Sequence, residues 1–324
     1  MKENDETRIK NALIAAKTLA ALQDERRLSA LRSTGSLARE VDPGSVRRAA
    51  QDLLAPMLSK AGASVDRFED ARQRYQKALE RAAADARGAA ITQSVEGKLR
   101  LEEILADHGK ALDAVTAGSD AQRFLLNVPF SIIPTSGLAN ISSGDQPARS
   151  FAKFTLHSSR STGYEEVAFH FIWGNTGNTV AVIDVNAYLV LNGHVQAGSG
   201  GGLFPSILSG ERYSQLDMHA RVAITLWGSQ PPMSPMQQAD QDVLAVALRS
   251  NTGEWGSVGG IEVNNIFRGY DLSHTLLFVP PHTNVVFQVL ATVGYSNADG
   301  TVDLDFASGG FEVACPGVLI TVRS

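Results

Sequence analysis

Close to residue 120 the apolar side chains stop recurring every third or fourth position and begin to recur every second one, and no single element type accommodates both spacings. Before this point leucines fall among alanines and charged residues. After it, Val, Ile, Phe and Thr dominate, in short alternating runs broken by Gly, Asn, Pro and Ser. The change predicts an α+β chain in two parts joined at "TAGSD", residues 116–120. Residues 1–120 form an N-terminal helical bundle or coiled coil for assembly or anchoring. Residues 121–324 form an antiparallel β-sandwich, with a jelly roll among its expected forms.

Four helices are expected in the first part. Leu13, Leu19, Leu22, Leu28 and Leu31 mark one within 8–32. Asp42 as a cap and Pro43 at the first helical position open a second, which runs through Leu53, Leu54, Met57 and Leu58 and stops near Gly62. A third, from about Ser64 to Arg87, presents Phe68, Ala71, Tyr75, Ala78, Leu79 and Ala82 as its stripe and ends at Gly88. A fourth runs from Ser94 to Val115. Stripes this narrow and rich in alanine bury little area per turn, so they require partners, either one another or a second subunit.

In the second part, strands are expected near 124–133, 151–158, 164–173, 180–191, 216–227, 242–249, 258–264, 273–279, 284–294, 301–307 and 311–322. The stretch "YEEVAFHFIWGNTGN" places Val167, Phe169, Phe171 and Trp173 on one strand face, opposite Glu166 and His170. Those two are four steps apart, about 13 Å along a strand, which is too far to share one metal ion. "GNTGN" offers a turn, and if residues 164–173 and 180–191 pair as a hairpin, His170 falls near Val182 or Asp184. The expected role of His170 is structural pairing.

Charge is distributed unevenly. Up to Phe124 there are 21 basic and 19 acidic residues, whereas the remaining 200 residues carry 8 and 15. A dilute, mildly acidic β region creates no field that gathers phosphate backbones, so no nucleic-acid partner is expected. No run of about 20 apolar residues exists to span a bilayer. The start has no apolar segment of signal-peptide type, which reads as cytoplasmic as synthesised, with release or incorporation into a particle left open. Cys315, the only cysteine, sits among apolar neighbours and reads as a buried thiol.

The most polar strand face lies in "QLDMHARVAITLWG", where Asp217, His219, Arg221 and Trp227 alternate with Leu216, Met218, Ala220 and Leu226. With Trp255 in a glycine-rich turn, these are the candidate contacts for a ligand or partner. The plainer account is a hydrated face of weak cross-strand charge pairs. Asn297, Asp299, Asp303 and Asp305 in "YSNADGTVDLD" are candidate calcium oxygens, but the terminal glutamate of the helix–loop–helix pattern is missing and "ADGT" reads more economically as a hairpin turn. "GSGGGLF" lacks the Lys-Ser or Lys-Thr ending of a phosphate loop, and no nucleophile elbow occurs. No catalytic residue, metal site or cofactor is therefore expected.

Low charge across the β region points to surfaces buried between copies. The leading expectation is a non-enzymatic structural or adhesive component of a homo-oligomer, whose helices assemble or anchor it while the sandwich forms the outer or recognition surface. The second is a carbohydrate-binding β-sandwich using Trp227, Trp255 and the Asp217 face, with a glycan or protein as target. The third is an enzyme with a site assembled around His219.

Overall fold

A computed structural model describes residues 66, 70–71, 73–95, 122–159, 162–199, 213–228, 235–251, 260–298 and 300–323, all within one compact unit spanning Val46–Ser324. It is built on two antiparallel sheets packed face to face. Sheet A holds β1 (Gln122–Leu126), β3 (Ala139–Gln146), β4 (Arg149–Ser159), β6 (Ala181–Ser199), β9 (Ile261–Val279), β11 (Gly300–Asp305) and β12 (Glu312–Arg323). Sheet B holds β2 (Ser131–Pro134), β5 (Thr162–Asn175), β7 (Tyr213–Gly228), β8 (Pro235–Asn251) and β10 (Thr283–Ala298).

The central order is β4-β11-β6-β9 in sheet A against β5-β10-β7-β8 in sheet B. From β4 to β7 and again from β8 to β11 each successive strand crosses to the other sheet, while β7 and β8 pair within sheet B, which is the wiring of a jelly roll. Alternation explains the core. Ile183, Val185, Leu189 and Leu191 on β6 meet Val285, Phe287 and Val289 on β10, Phe169 and Phe171 on β5, and Met218 and Val222 on β7, all fully or almost fully buried. Cys315 lies in the same core, and burial pushes its thiol well above the ordinary range, leaving no nucleophilic thiolate at neutral pH.

The helical bundle or coiled coil expected for the first part is corrected. Among the described residues there is a single helix, α1 (73–95), and it packs on the outer face of sheet A instead of on another helix. Gly310 N donates to Ser94 Oγ at 3.2 Å. A Cβ on Gly310 would stand 2.3 Å from the Ser94 carbonyl oxygen, so only glycine lets the helix approach this closely. The helix also runs through Gly88, the expected terminator, to Val95. Its buried side is Leu79, Ala83, Ala86, Ala90 and Ser94, rotated from the expected stripe, and Tyr75 faces solvent. The helices expected at 8–32 and 42–62 and most of that at 94–115 lie outside the described residues.

The hairpin between residues 164–173 and 180–191 is also corrected. β5 pairs with β10 and β2 in sheet B, and β6 belongs to sheet A. The connection therefore crosses the sandwich, and His170 sits beside Gln288, with 3.0 Å between His170 Nε2 and Gln288 Nε2. Asp184 instead accepts from Arg323 and from Leu276 N. Two further differences are local: 261–264 and 273–279 belong to one long strand, β9, and the Ser- and Gly-rich β3 carries no apolar signal.

Strands β8 and β9 end the two sheets on the same side, and side chains cap part of their edge backbone. Arg249 N donates to Glu262 Oε2 at 2.9 Å and Ser273 N donates to Gln241 Oε1, whereas Leu276 N donates to Asp184 Oδ1 at 2.9 Å inside the sheet, at the bulge between β6 and β9.

Candidate ligand-binding crevice

The sequence-derived candidates lie on the outer face of sheet B. Antiparallel register sets Asp217, His219 and Arg221 on β7 next to the edge strand β8, and each charge finds a partner there. Arg249 Nη2 donates to Asp217 Oδ2 at 2.7 Å, His219 Nδ1 lies 2.7 Å from Asp242 Oδ1, and Arg221 Nη2 donates to Asp240 Oδ2 at 2.6 Å. Burial works against the Arg221 charge, but the Asp240 carboxylate more than restores it and raises the guanidinium above its ordinary value. Trp227 shares the face but is only 3% exposed, so its ring is withheld from solvent. Its Nε1 has no hydrogen-bond partner among the described residues, and nothing in the structure explains this. Trp255 lies outside the described residues.

A different arrangement occupies the outer face of sheet A. Register places Thr155 of β4, Asp305 of β11, His194 of β6 and Asn265 of β9 in one row across four strands. The next row is His157, Asp303, Gln196 and Val263. Helix α1 passes above these rows and encloses a crevice of about 650 Å³. Glu80, Arg87 and Ile91 of the helix form part of its lining, opposite the polar side chains of the strands. The volume falls within the range typical of small-molecule sites, roughly 300–1,000 Å³.

One ion pair and one His–Asp contact fix the frame. Arg87 donates through Nε and Nη2 to Asp305 Oδ2, at 3.1 and 2.6 Å, while Asp305 Oδ1 accepts from Ala307 N and Ser308 N at 3.0 and 2.9 Å. Burial alone would raise the Asp305 carboxyl. The donors from Ser308, Ala307 and Arg87 outweigh it and hold the group below the usual carboxylate range. His157 Nδ1 lies 2.5 Å from Asp303 Oδ1. At the rim Asn140 Nδ2 donates to Thr155 Oγ1 at 2.8 Å.

His194 departs from this pattern of paired groups. It is 1% exposed, and its Nδ1 lies 2.7 Å from Asn265 Oδ1. Facing an amide oxygen, Nδ1 carries the proton, which leaves Nε2 as an acceptor. His194 is among the residues lining the crevice, but its Nε2 is sealed from solvent and has no hydrogen-bond partner among the described residues. A buried acceptor left unmade costs roughly 1–3 kcal/mol.

The calcium candidates do not converge. Asn297 Oδ1 accepts from Ser214 between the sheets, Asp303 faces His157, Asp305 is committed to Arg87 and two backbone amides, and Asp299 lies outside the described residues. Among the described residues no group of three or more His, Cys, Asp or Glu is placed to hold a metal ion. No helix among them is long and apolar enough to cross a membrane.

Arg87, Asn140, His157, His194 and Gln196 carry the crevice and were not singled out as site residues from sequence. The available signal was "LNGHVQAG", where Asn192, His194 and Gln196 alternate with Leu191, Gly193, Val195 and Ala197 along one strand. Alternation of that kind marks a polar outer face, but it does not disclose that a helix lies over it.

No protein-family model matches the chain, and no curated protein matches it. Among solved structures, the enzymatically active domain of tailspike protein 4 from bacteriophage CBA120 is similar over 62% of this chain at 9% identity, with a TM-score of 0.25, and the chain spans 19% of that protein. A carbohydrate-binding module that recognises mannan is similar over 63% of this chain and 97% of its own, at 9% identity and a TM-score of 0.24. A family 11 carbohydrate-binding module from Clostridium thermocellum is similar over 58% and 98%, at 10% identity and a TM-score of 0.21. Likenesses this slight carry neither a fold nor a ligand to the present chain.

Proposed function

We propose that the protein is a non-catalytic carbohydrate-binding β-sandwich that takes an uncharged, hydroxyl-rich glycan in the crevice between α1 and sheet A. The observation carrying this reading is the roofed polar row itself: α1 lies over Thr155, His194 and Gln196 and leaves a crevice of about 650 Å³. There, Thr155, Gln196 and Asn140 offer amide and hydroxyl groups that both donate and accept, the complement of a sugar's hydroxyls. Arg87 is answered by Asp305, and Glu80 and Asp303 add further carboxylates to the lining, which disfavours an anionic ligand.

Hydrolysis of the glycan is not part of the proposal. Asp303 and Asp305 lie two strand steps apart, about 6.6 Å along the strand, a separation in the region used by paired glycosidase carboxylates. A general acid, however, must hold its proton near neutral pH, and Asp305 is driven the opposite way by its donors. Screening the full chain on an array of neutral and acidic glycans, followed by calorimetry, tests the reading. Binding of a neutral glycan is expected, weakened about tenfold or more in Gln196→Ala and Asn140→Ala, as loss of one or two well-placed hydrogen bonds implies. Absence of glycan binding, or affinity unmoved by both substitutions, would remove the crevice from consideration.

A second reading, a homo-oligomeric structural or adhesive role, is favoured by an apolar corner. Val180, Leu276 and Phe278 are each more than half exposed, and Phe278 pairs with Val182 at the end of β6 and β9. In a region of low charge such a corner suits contact with a second copy. Light scattering should then show an oligomer at micromolar concentration that Phe278→Asp dissociates; a monodisperse wild-type monomer ends this reading.

A further inference from the structure

We infer that the binding path extends beyond the crevice into a neighbouring subsite, with Phe267 as the platform on which the next sugar ring stacks. This rests on the carbohydrate reading above. A second cavity, of about 270 Å³, lies under the same helix and is lined by Gln93, Ser94, Asn192, Asn265 and Phe267, among others. It is smaller than a ligand site usually is on its own, which fits an annex better than an independent pocket.

The two spaces are neighbours by register. His194 lines the larger and Asn265 the smaller, and these residues are bonded to each other across β6 and β9, so their pair forms the partition. In the roof, Ile91 faces the larger and the adjacent Ala90 the smaller. A ligand resting on Thr155 and Gln196 beside His194 therefore ends one side-chain pair away from the annex.

Phe267 gives the annex its chemistry. It stands two positions beyond Asn265 on the outer face of β9, opposite Asn192, and is 45% exposed. A large ring half in water on an otherwise polar floor offers the flat apolar surface that the C–H face of a pyranose covers. Amides from Asn192 and Asn265 stand on either side in register. Asn192 Nδ2 is already donated to Gly310 O at 2.8 Å, which holds that amide rigidly in place. The chain selected is thus a neutral oligosaccharide of at least two rings: one in the crevice bonded to polar groups, the next resting on Phe267.

The test is calorimetry on the full chain with gluco-, manno-, xylo- and galacto-oligosaccharides of two, four and six rings, comparing wild type, Phe267→Ala, Phe267→Tyr and Gln196→Ala. Affinity in the wild type should rise with length. Phe267→Ala should weaken the six-ring ligand about fivefold to tenfold while leaving the two-ring ligand within twofold, as expected for loss of one aromatic stacking contact. Phe267→Tyr should restore the length dependence. Gln196→Ala should weaken all lengths. If Phe267→Ala binds every length as wild type does, or loses all lengths equally, the subsite is overturned while the crevice reading survives. If the wild type binds no member of the panel, both fall together.

Discussion

The outer faces of the two sheets are written in the same code and end up doing different things. On sheet B, Asp217, His219 and Arg221 reach sideways to Arg249, Asp242 and Asp240 of the edge strand, and each charge is answered close to the solvent. On sheet A, Asp305 is answered by a helix that arrives from more than 200 positions earlier in the chain, and that arrival converts a flat face into a crevice. The difference teaches that a row of polar residues becomes a site when something roofs it. A face whose charges settle their accounts laterally stays a surface, while one that needs a distant partner acquires depth.

Substitutions can break this contrast. The largest effect is expected at the clamp: Asp305→Ala removes a buried carboxylate and leaves Arg87, Ala307 N and Ser308 N without their acceptor, at a cost of about 3 kcal/mol in denaturant unfolding. Acid probes the same group. Because its carboxyl titrates lower in the folded than in the unfolded state, its contribution is complete above the ordinary carboxylate value of about 3.9 and disappears as pH falls through the lower folded value. Wild type should lose stability steeply below about pH 4, and Asp305→Asn should flatten that slope; an unchanged slope would mean the clamp contributes nothing.

The smallest effect belongs to sheet B. Its pairs are one-third to one-half exposed, so Arg221→Gln or Asp217→Asn should change stability by less than about 1 kcal/mol, and less still in 1 M salt. If either cost as much as Asp305→Ala, the two faces would be energetically alike and the contrast would dissolve. Glycan binding at the crevice should be indifferent to both substitutions.

What was legible in the sequence followed from strictly local rules. Strand alternation alone places Asp217, His219 and Arg221 on one side of β7 and Leu216, Met218 and Val222 in the core, because the period of two needs no knowledge of partners. Helix α1 shows the limit. "RAAADARGAA" offers several alanine stripes of nearly equal merit, and the one used, through Ala83, Ala86 and Ala90, is decided by the sheet it meets. Gly88 likewise reads as a stop, yet the helix absorbs it at roughly 1 kcal/mol because contacts on either side hold the turn. The crevice was illegible because its walls come from β4, β6, β9, β11 and α1, and no local pattern encodes which strand crosses to which sheet.

The capping of β8 and β9 bears on how copies of this chain can associate. Both strands are long and terminal, the usual invitation to runaway polymerisation by one molecule extending the ladder of the next. Here Glu262 and Gln241 have taken the amides of Arg249 and Ser273, so an incoming strand meets occupied donors at those two positions. Growth into open-ended ribbons by adding strands is penalised at those positions.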